Sequence, residues 1–221
     1  MKKFIIAIVA AWMVVGCAPT MPPKQEVYGS LYEEQPLAIL VMPPINRSTK
    51  VEAKELFYSS LIVPLTLRGY YVMPPLLAME ILKEESAYDS EMFVNSSMKN
   101  VGSLFGVDAV LFTTIHDWRK TTIASQVTVE IEYTLKSAKS DQVLFSRTGD
   151  ITLSMSGNSG NLLADALSGM IMTALTKEIT VGRRCNIYSL GDIPAGKYHS
   201  MFMQDQTSPS QPKKFSIVLT Q

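Results

Sequence analysis

Residues 37–42 read Leu-Ala-Ile-Leu-Val-Met, an unbroken apolar run that is followed directly by the Pro43–Pro44 pair. Such a run predicts a strand buried on both faces, and the prolines end it because proline cannot donate to a strand ladder. A second short strand is predicted at residues 70–73, and it also ends in a double proline, Pro74–Pro75. A third apolar strand is predicted over residues 108–118.

Helical patterns separate these strands. Apolar residues recur at three- and four-residue steps from Val51 to Arg68, and Pro64 is expected to kink or end that helix because its ring clashes with the carbonyl four residues earlier. Further helices are predicted over residues 76–85 and 93–105, the second of them capped by Gly106. Alternating strands and helices predict right-handed crossovers between parallel strands.

The pattern changes at residues 126–136, where apolar and polar residues alternate strictly. This predicts a strand with one buried and one solvated face, and a turn at residues 139–141 returns the chain as its hairpin partner over residues 142–155. The sequence therefore predicts an α/β fold in two or three layers, with a mixed sheet built as β-α-β-α-β and then an antiparallel meander.

A long packing helix completes this fold. It is predicted to run to Thr180 from a cap at Asn158, Ser159 or Asn161, and its apolar stripe is expected to pack on the sheet or, alternatively, on a partner helix. The stripe consists of Leu163, Ala166, Leu167, Met170, Ile171, Ala174, Leu175 and Ile179. Residues 183–198 are predicted to be rich in turns.

The first residues have the features of a bacterial export signal. Met1–Lys3 is basic, residues 4–15 are apolar but too few for a membrane span of about 20 residues, and Val14–Cys17 resembles the bacterial lipobox. Cleavage before Cys17 and acylation of its thiol, for example with palmitate, are predicted; the alternative is an ordinary signal peptide with an incidental cysteine. Ala18 after the cysteine favours the periplasmic side of the outer membrane over retention in the inner membrane.

The chain is predicted to have four parts. Residues 1–16 are a lipoprotein signal peptide, residues 17–35 a lipidated, proline-rich tether, residues 36–203 a single periplasmic domain, and residues 204–221 a flexible tail.

Composition limits the class of partner. The 20 basic and 20 acidic residues balance, so the surface lacks the positive charge that attracts nucleic acid. Two cysteines, Cys17 and Cys185, are too few for a disulfide framework. Once Cys17 carries lipid, Cys185 is expected to be a small buried residue.

No catalytic or metal site is predicted. A zinc site needs three or four ligands at matched spacing, and the chain has only two histidines, His116 and His199. Glu130 and Glu132 could serve a glycosidase, but the wet side of a half-buried strand explains them more simply. Residues 157–160 have the wrong spacing for a nucleophile elbow. We therefore expect no enzyme activity and no cofactor.

One surface is a candidate for binding. Both double prolines follow predicted parallel strands, so they should emerge at the same edge of the sheet, where ligands of open α/β sheets usually bind. The alternative is that the prolines merely terminate strands. The candidate interaction edge consists of Pro43, Pro44, Asn46, Arg47, Pro74, Pro75 and Trp118.

Several segments in order resemble a known family. They are the lipobox, residues 37–44 with Asn46, Pro64–Leu65, residues 69–74, residues 105–111, Ile115 with Trp118, and residues 193–199. Together they are similar to bacterial lipoproteins of the family of a neisserial genome-derived vaccine-candidate antigen, domain-of-unknown-function family 799. The likeness covers nearly the whole chain, and Lys197 departs from it by standing where relatives are expected to have proline.

The resemblance implies a fold like the amino-terminal domain of the Tol β-propeller protein and, distantly, like the curli secretion lipoprotein. Such proteins tend to be encoded beside a curli-pore-like lipoprotein, which implies an accessory or assembly role in an outer-membrane, perhaps transport, complex. No catalytic residues come with the family. The leading hypothesis is thus a lipid-anchored interaction module that oligomerises or binds a protein partner. The alternatives are a periplasmic protein that binds small molecules or cell-wall fragments and, third, a hydrolase using His116 or His199.

Overall fold

The computed structural model of the chain describes residues 21–84, 89–121, 126–154 and 170–219. The strands are β1 (Ala38–Val41), β2 (Ile45–Asn46), β3 (Tyr71–Val72), β4 (Ala109–Thr121), β5 (Gln126–Ser137), β6 (Val143–Ser154) and β7 (Lys214–Leu219). The α-helices are α1 (Lys24–Val27), α2 (Gly29–Glu34), α3 (Ala53–Tyr58), α4 (Ile62–Leu67), α5 (Pro75–Glu84), α6 (Lys99–Phe105) and α7 (Met170–Leu190). A short 3-10 helix spans Ser90–Met92.

The strands form one mixed sheet in the order β3-β1-β4-β5-β6-β7, with β2 pairing beside β4. β1 runs parallel to β3 and β4, whereas β4, β5 and β6 form an antiparallel meander. The predicted fold class is therefore confirmed. β7, which runs parallel to β6, extends the sheet beyond the prediction.

Helices cover both faces of the sheet around β1 because its residues alternate between two separate cores. Ile39 and Val41 point to the larger core, which also contains residues of α2, α3, α4 and α7. Leu40 and Met42 point to the smaller core, which is closed by α5 and α6. All four residues are buried, as the unbroken apolar run predicts.

The hairpin of β5 and β6 has one dry face and one wet face. Along β5, every second residue from Val127 to Leu135 is buried, and the residues between them are at least partly exposed. β6 alternates in the same way, so this half of the sheet belongs to the larger core on one side only. The alternation predicted at residues 126–136 is confirmed.

The helix predicted from Val51 to Arg68 is divided in two. α3 ends at Tyr58 and α4 begins at Ile62, so Pro64 lies in the first turn of α4, where its missing N–H does not interrupt a helical hydrogen bond. The helix predicted over residues 93–105 is shorter than expected and begins at Lys99. The carboxylate of Asp141 accepts a hydrogen bond from the Met98 N–H at 2.6 Å, and Gly106 ends the helix with φ 63° as predicted.

The long helix α7 continues ten residues beyond its predicted end and finishes at Leu190. The prediction of a turn-rich segment from residue 183 was wrong for this stretch, because Val181, Cys185 and Leu190 continue the buried stripe. Gly182 allows α7 to approach α3 closely, since a Cβ there would lie 2.7 Å from the carbonyl oxygen of Leu56. The predicted caps and the first part of the predicted stripe lie outside the described residues.

Both predicted domain boundaries need correction. Within the predicted tether 17–35, residues 24–34 form α1 and α2, and Tyr28, Leu31 and Tyr32 are buried in the larger core. Within the predicted tail 204–221, β7 pairs with β6 over its whole length. The amino-terminal segment lacks a clear apolar periodicity, and the order of both segments depends on partners distant in sequence.

Candidate functional site

The double prolines do meet at one edge of the sheet, as predicted. β1 and β3 are parallel, with Ile39 opposite Val72, so their carboxyl ends lie side by side. The hydroxyl of Tyr58 joins these ends, since it donates to the carbonyl of Pro75 at 3.2 Å and lies 3.5 Å from that of Val41.

Much of this candidate interaction edge is nevertheless covered. Pro43 and Pro44 are buried, and the Ser90 hydroxyl donates to the Pro43 carbonyl at 2.6 Å. Trp118 was predicted to lie on the surface but is only 7% exposed, where it packs edge-on against Phe57 at 6.1 Å between ring centroids. Its position in β4 turns it into the larger core.

The remaining members of the edge have local roles. Asn46 closes its own loop, donating to the Lys50 carbonyl at 2.7 Å and accepting from Ser48. Arg47 is exposed, with its guanidinium 3.9 Å from Glu91, and Pro74 is exposed while Pro75 is half-buried. The structure thus leaves Arg47 and Pro74 as the accessible part of the predicted edge.

The titratable residues considered for catalysis lie apart. His116 contacts Glu132 at 3.0 Å on the wet face of the sheet, whereas Nδ1 of His199 accepts the Met201 N–H in a distant turn. Cys185 is fully buried, and that burial raises the pKa of its thiol. Within the described ranges, no group of three or more His, Cys, Asp or Glu side chains is arranged to hold a metal ion.

A buried ion cluster that sequence reasoning missed holds the two ends of the domain together. It consists of Lys24, Tyr28, Tyr32, Arg68, Asp192 and Asp205. Two cations face two carboxylates, so the charges balance inside the protein, as buried charges require.

Each carboxylate in the ion cluster accepts from several donors. Asp205 receives the Tyr32 hydroxyl at 2.9 Å and the Arg68 guanidinium at 3.1 Å. It also receives the Ala195 N–H at 3.0 Å. Asp192 receives the Tyr28 hydroxyl at 2.5 Å and the Gln211 N–H at 3.0 Å. The Lys24 ammonium lies 3.7 Å from one carboxylate and 3.6 Å from the other.

Burial dominates the electrostatics of the cluster. It raises the pKa of the Tyr28 and Tyr32 hydroxyls, and the hydrogen bonds to Asp192 and Asp205 add to that effect. Burial, with the neighbouring charge of Arg68, lowers the pKa of Lys24 in spite of the two carboxylates. The cluster is therefore a structural connection between residues more than 160 positions apart in the chain.

Arg147 of β6 makes a second connection to the carboxyl-terminal segment. Its side chain is fully buried, donates to the carbonyls of Tyr188, Ser189 and Pro212 at 3.0–3.1 Å, and lies 4.2 Å from the Phe215 ring centroid. Two of these carbonyls belong to the last turn of α7, where a cation is favoured by the helix dipole.

The chain enters the domain at a defined surface. Pro22 and Pro23 lie against residues 206–210, and the carbonyl of Pro22 accepts from both the N–H and the hydroxyl of Ser210, at 2.9 and 2.8 Å. We call Pro22, Pro23 and residues 206–213 the exit surface.

β7 follows the exit surface directly and ends the strand order. Thr148 N–H donates to the carbonyl of Lys213, so by the alternation of a parallel ladder Phe215 and Ile217 bond to β6. The N–H and C=O groups of Lys214, Ser216 and Val218 then point to the outer edge, and those side chains are exposed. Within the described ranges, no other strand pairs with this free edge of β7.

Neither feature carries a signal that the sequence alone could show. The members of the ion cluster are single charged or phenolic residues scattered over three segments, and the free edge of β7 depends on which strand neighbours it. The spacing of Phe215, Ile217 and Leu219 at every second residue could have predicted the strand, although not its free edge.

One further property bears on how the chain meets a membrane. None of the helices in the described ranges has both the length and the apolar character needed to cross a bilayer.

Known proteins share this architecture. A protein-family model described as "Putative lipoprotein GNA1162-like" matches residues 27–197. "Putative lipoprotein NMB1124/NMB1162" of Neisseria meningitidis serogroup B is 27% identical over 182 residues, which cover 81% of this chain and 84% of that protein.

One solved structure agrees with the family match. The crystal structure of lipoprotein GNA1162 from Neisseria meningitidis superposes with a TM-score of 0.51 at 28% identity, covering 66% of this chain and 99% of that one. A PelC dodecamer from Paraburkholderia phytofirmans has a TM-score of 0.41 at 16% identity, covering 74% and 91% of the two chains. The match over residues 27–197 takes in most of the sheet and both of its helical layers, and the chain belongs to the GNA1162-like lipoprotein family.

Proposed function

We propose that this protein is a lipid-anchored periplasmic lipoprotein of the outer membrane. In this proposal its domain acts without catalysis, by binding a protein partner or a second copy of itself in an envelope complex. Family membership supports the lipoprotein character, and Val14–Cys17 supplies the acylation sequence. Ala18 supports delivery to the outer membrane.

The observation that carries the binding role is the free edge of β7. Among the described residues, no strand pairs with the backbone donors and acceptors that three residues present there, and such an edge can accept a strand from another chain. Lys214, Ser216 and Val218 also expose their side chains, with Val218 62% exposed. Backbone pairing would supply affinity, and the alternating side chains would supply specificity.

The positions of the titratable side chains support a role without catalysis. His116 and His199 lie in separate regions, and Cys185 is buried with a raised thiol pKa, which disfavours the reactive thiolate. A partner-binding module needs no such groups.

The anchor is tested by replacing Cys17 with serine in cells grown with labelled palmitate. The proposal expects the label in the wild-type protein and its loss in the variant, together with loss of processing and of membrane fractionation. An unlabelled wild-type protein would overturn the anchor.

The binding edge is tested with a photo-crosslinking amino acid at position 216 in intact cells, with position 80 on α5 as the exposed control. Crosslinks to a protein are expected from position 216 and not from position 80. With the crosslinker moved to the exposed position 218, Ser216→Pro should abolish the crosslinks, because it removes an outward N–H without breaking a bond to β6, whereas Ser216→Val keeps that donor. Equal crosslinking from both positions, or binding unaffected by proline, would contradict the proposal.

A second candidate function is the binding of a small molecule or cell-wall fragment. It is favoured by an open cavity of about 300 Å³ that Glu34, Lys99, Asp108 and Lys139 help to line. Charges of both signs suit a zwitterionic peptide fragment. Thermal stabilisation by such fragments that Lys99→Ala removes and Lys120→Ala keeps would favour this function over partner binding.

A further inference from the structure

We infer that the domain faces the bilayer with one defined surface, the exit surface, which lies against the lipid headgroups instead of hanging from a free tether. This inference rests on the lipid anchor at Cys17 proposed above. Its occupant is the headgroup layer of the membrane in which that anchor is embedded.

The chain is fixed to the domain immediately after its entry. The N–H of Lys24 donates to the carbonyl of Ser208 at 2.9 Å, and that of Gln25 donates to Gln206 at 3.0 Å. With the two hydrogen bonds from Ser210 to Pro22, four bonds hold residues 22–25 on the exit surface.

This attachment is connected to the protein interior. Lys24 is only 7% exposed and belongs to the ion cluster. Tyr28, one turn later, donates to Asp192, whose other partner is the N–H of Gln211 in the exit surface. Pulling residues 22–25 away would expose unpaired buried charges, so the chain is fixed to the domain from Pro22 onward.

The chain between Cys17 and Pro22 is short. Five residue steps separate Cys17 from Pro22, and a fully extended chain spans at most about 3.6 Å per step, or about 18 Å. The headgroup region takes about 5–7 Å of this on each side of the hydrocarbon core. A domain of this size has a radius of gyration of about 16 Å. The reach is therefore too short for the domain to turn freely.

The side chains of the exit surface and its neighbours suit lipid headgroups. Lys213 and Lys214, both exposed, lie where the exit surface meets β7, and they suit the phosphate groups of anionic lipids. Met21, 39% exposed, precedes Pro22 on the same stretch of chain. The domain thus offers two cations and an apolar side chain close to the anchor.

The orientation has a consequence for the opposite layer. Tyr28 and residues of α2 belong to the larger core, and α5 belongs to the smaller core across the sheet. With the exit surface on the headgroups, α5 lies on the far side of the sheet from the chain entry, and its exposed residues face the periplasm.

The experiment uses the full-length acylated protein in vesicles of phosphatidylethanolamine and phosphatidylglycerol that carry a headgroup-attached quencher. A fluorophore is placed at Thr207→Cys in the exit surface or at Glu80→Cys on α5, both exposed positions. Cys185 is fully buried and remains unlabelled in the folded protein. Flotation of the vesicles reports the anchor independently of the fluorescence.

Quenching at position 207 is expected to exceed that at position 80 several-fold. A flexible insert of about 20 Gly and Ser residues after Ala18, with an r.m.s. length of about 25 Å, should remove most of that difference without changing flotation. Lys213→Gln with Lys214→Gln should reduce it on vesicles rich in phosphatidylglycerol.

The outcomes separate the two proposals. Flotation with equal quenching at both positions, or a difference that survives the long insert, overturns the bilayer-facing surface and leaves the anchor standing. Protein that does not float overturns the anchor, and this inference with it.

Discussion

The body of the domain, residues 36–190, and its two ends, residues 21–35 and 191–219, are stabilised by different chemistry. The body has apolar strands and helices with regular periodicity, such as β1 and α7, packed in two cores. The ends contain two short helices and an edge strand, and they are connected by buried charges and phenols, above all Asp192 and Asp205. The comparison shows that order in this chain does not require periodicity, provided that polar groups find complementary partners elsewhere.

Alkaline pH gives the largest expected effect on both regions. Burial raises the pKa of Tyr28, Tyr32, Tyr70 and Tyr133, so these tyrosines stay protonated in the folded protein above pH 10 while they ionise in the unfolded chain. The stability that each contributes is present below pH 10 and is lost above it, by about 1.4 kcal/mol per pH unit. Cys185 behaves likewise from about pH 9.

Lys24 has the opposite effect on stability. Burial lowers its pKa, so the cost of burying the charged ammonium disappears as the pH rises toward 10.5 and Lys24 loses its proton in the folded protein. Urea unfolding between pH 8 and 11 measures the sum of the tyrosine, Cys185 and Lys24 contributions to the free energy of unfolding. The double variant Tyr28→Phe with Tyr32→Phe should reduce the loss of unfolding free energy with rising pH. The reduction should equal that caused by Tyr70→Phe with Tyr133→Phe. If only the variant at Tyr70 and Tyr133 reduces this loss of stability, the ends open before the body unfolds.

Loss of a carboxylate in the ion cluster is the second largest effect. Asp205→Ala removes the partner of Arg68 and one of the two partners of Lys24, and we expect the free energy of unfolding to fall by about 3–5 kcal/mol. The measurement is urea unfolding of the Cys17→Ser protein at pH 7.

The matched control is Asp150→Ala in the body. This carboxylate lies on the wet face of the sheet, 3.6 Å from Arg119, with its side chain 45% exposed. A half-exposed pair of this kind contributes about 1 kcal/mol or less. Similar losses for the two variants would show that the ends are not held by their buried charges.

Replacing one glycine in each region gives the smallest expected difference in stability. Gly182→Ala in the body should cost about 1–3 kcal/mol, because the new Cβ would meet the Leu56 carbonyl and push α7 from α3. Gly29→Ala in the amino-terminal end meets no heavy atom within 4 Å and, being helical, should be neutral or stabilise by up to about 1 kcal/mol. Thermal unfolding of the two variants distinguishes them, and a loss at position 29 would mean that this end is packed as tightly as the body.

The predictable part of the fold was the part with local signals. The apolar run at residues 37–42, the alternation at residues 126–136 and the double prolines specified the main strands and their ends. Pro64 correctly marked a break, although the sequence could not show that the chain turns at residues 59–61 before restarting a helix.

The exposure of the candidate interaction edge could not be predicted from local signals. That the two double prolines meet follows from parallel strands, but their exposure depends on what covers them. Ser90 covers Pro43, and the direction of the Trp118 side chain is set by the position of β4 over α3. Whether this edge binds anything remains a prediction.

By itself, the sequence determined the lipobox, the mixed sheet and the helices on it, since each depends on the spacing of residues that are close together in the chain. Only the tertiary structure decided that Lys24 and Tyr28 belong to the domain, that residues 214–219 form an edge strand, and that the chain enters beside residues 206–210. The physical reason is distance along the chain: a buried charge is stable only beside its counter-charge, and here the two are separated by more than 160 residues.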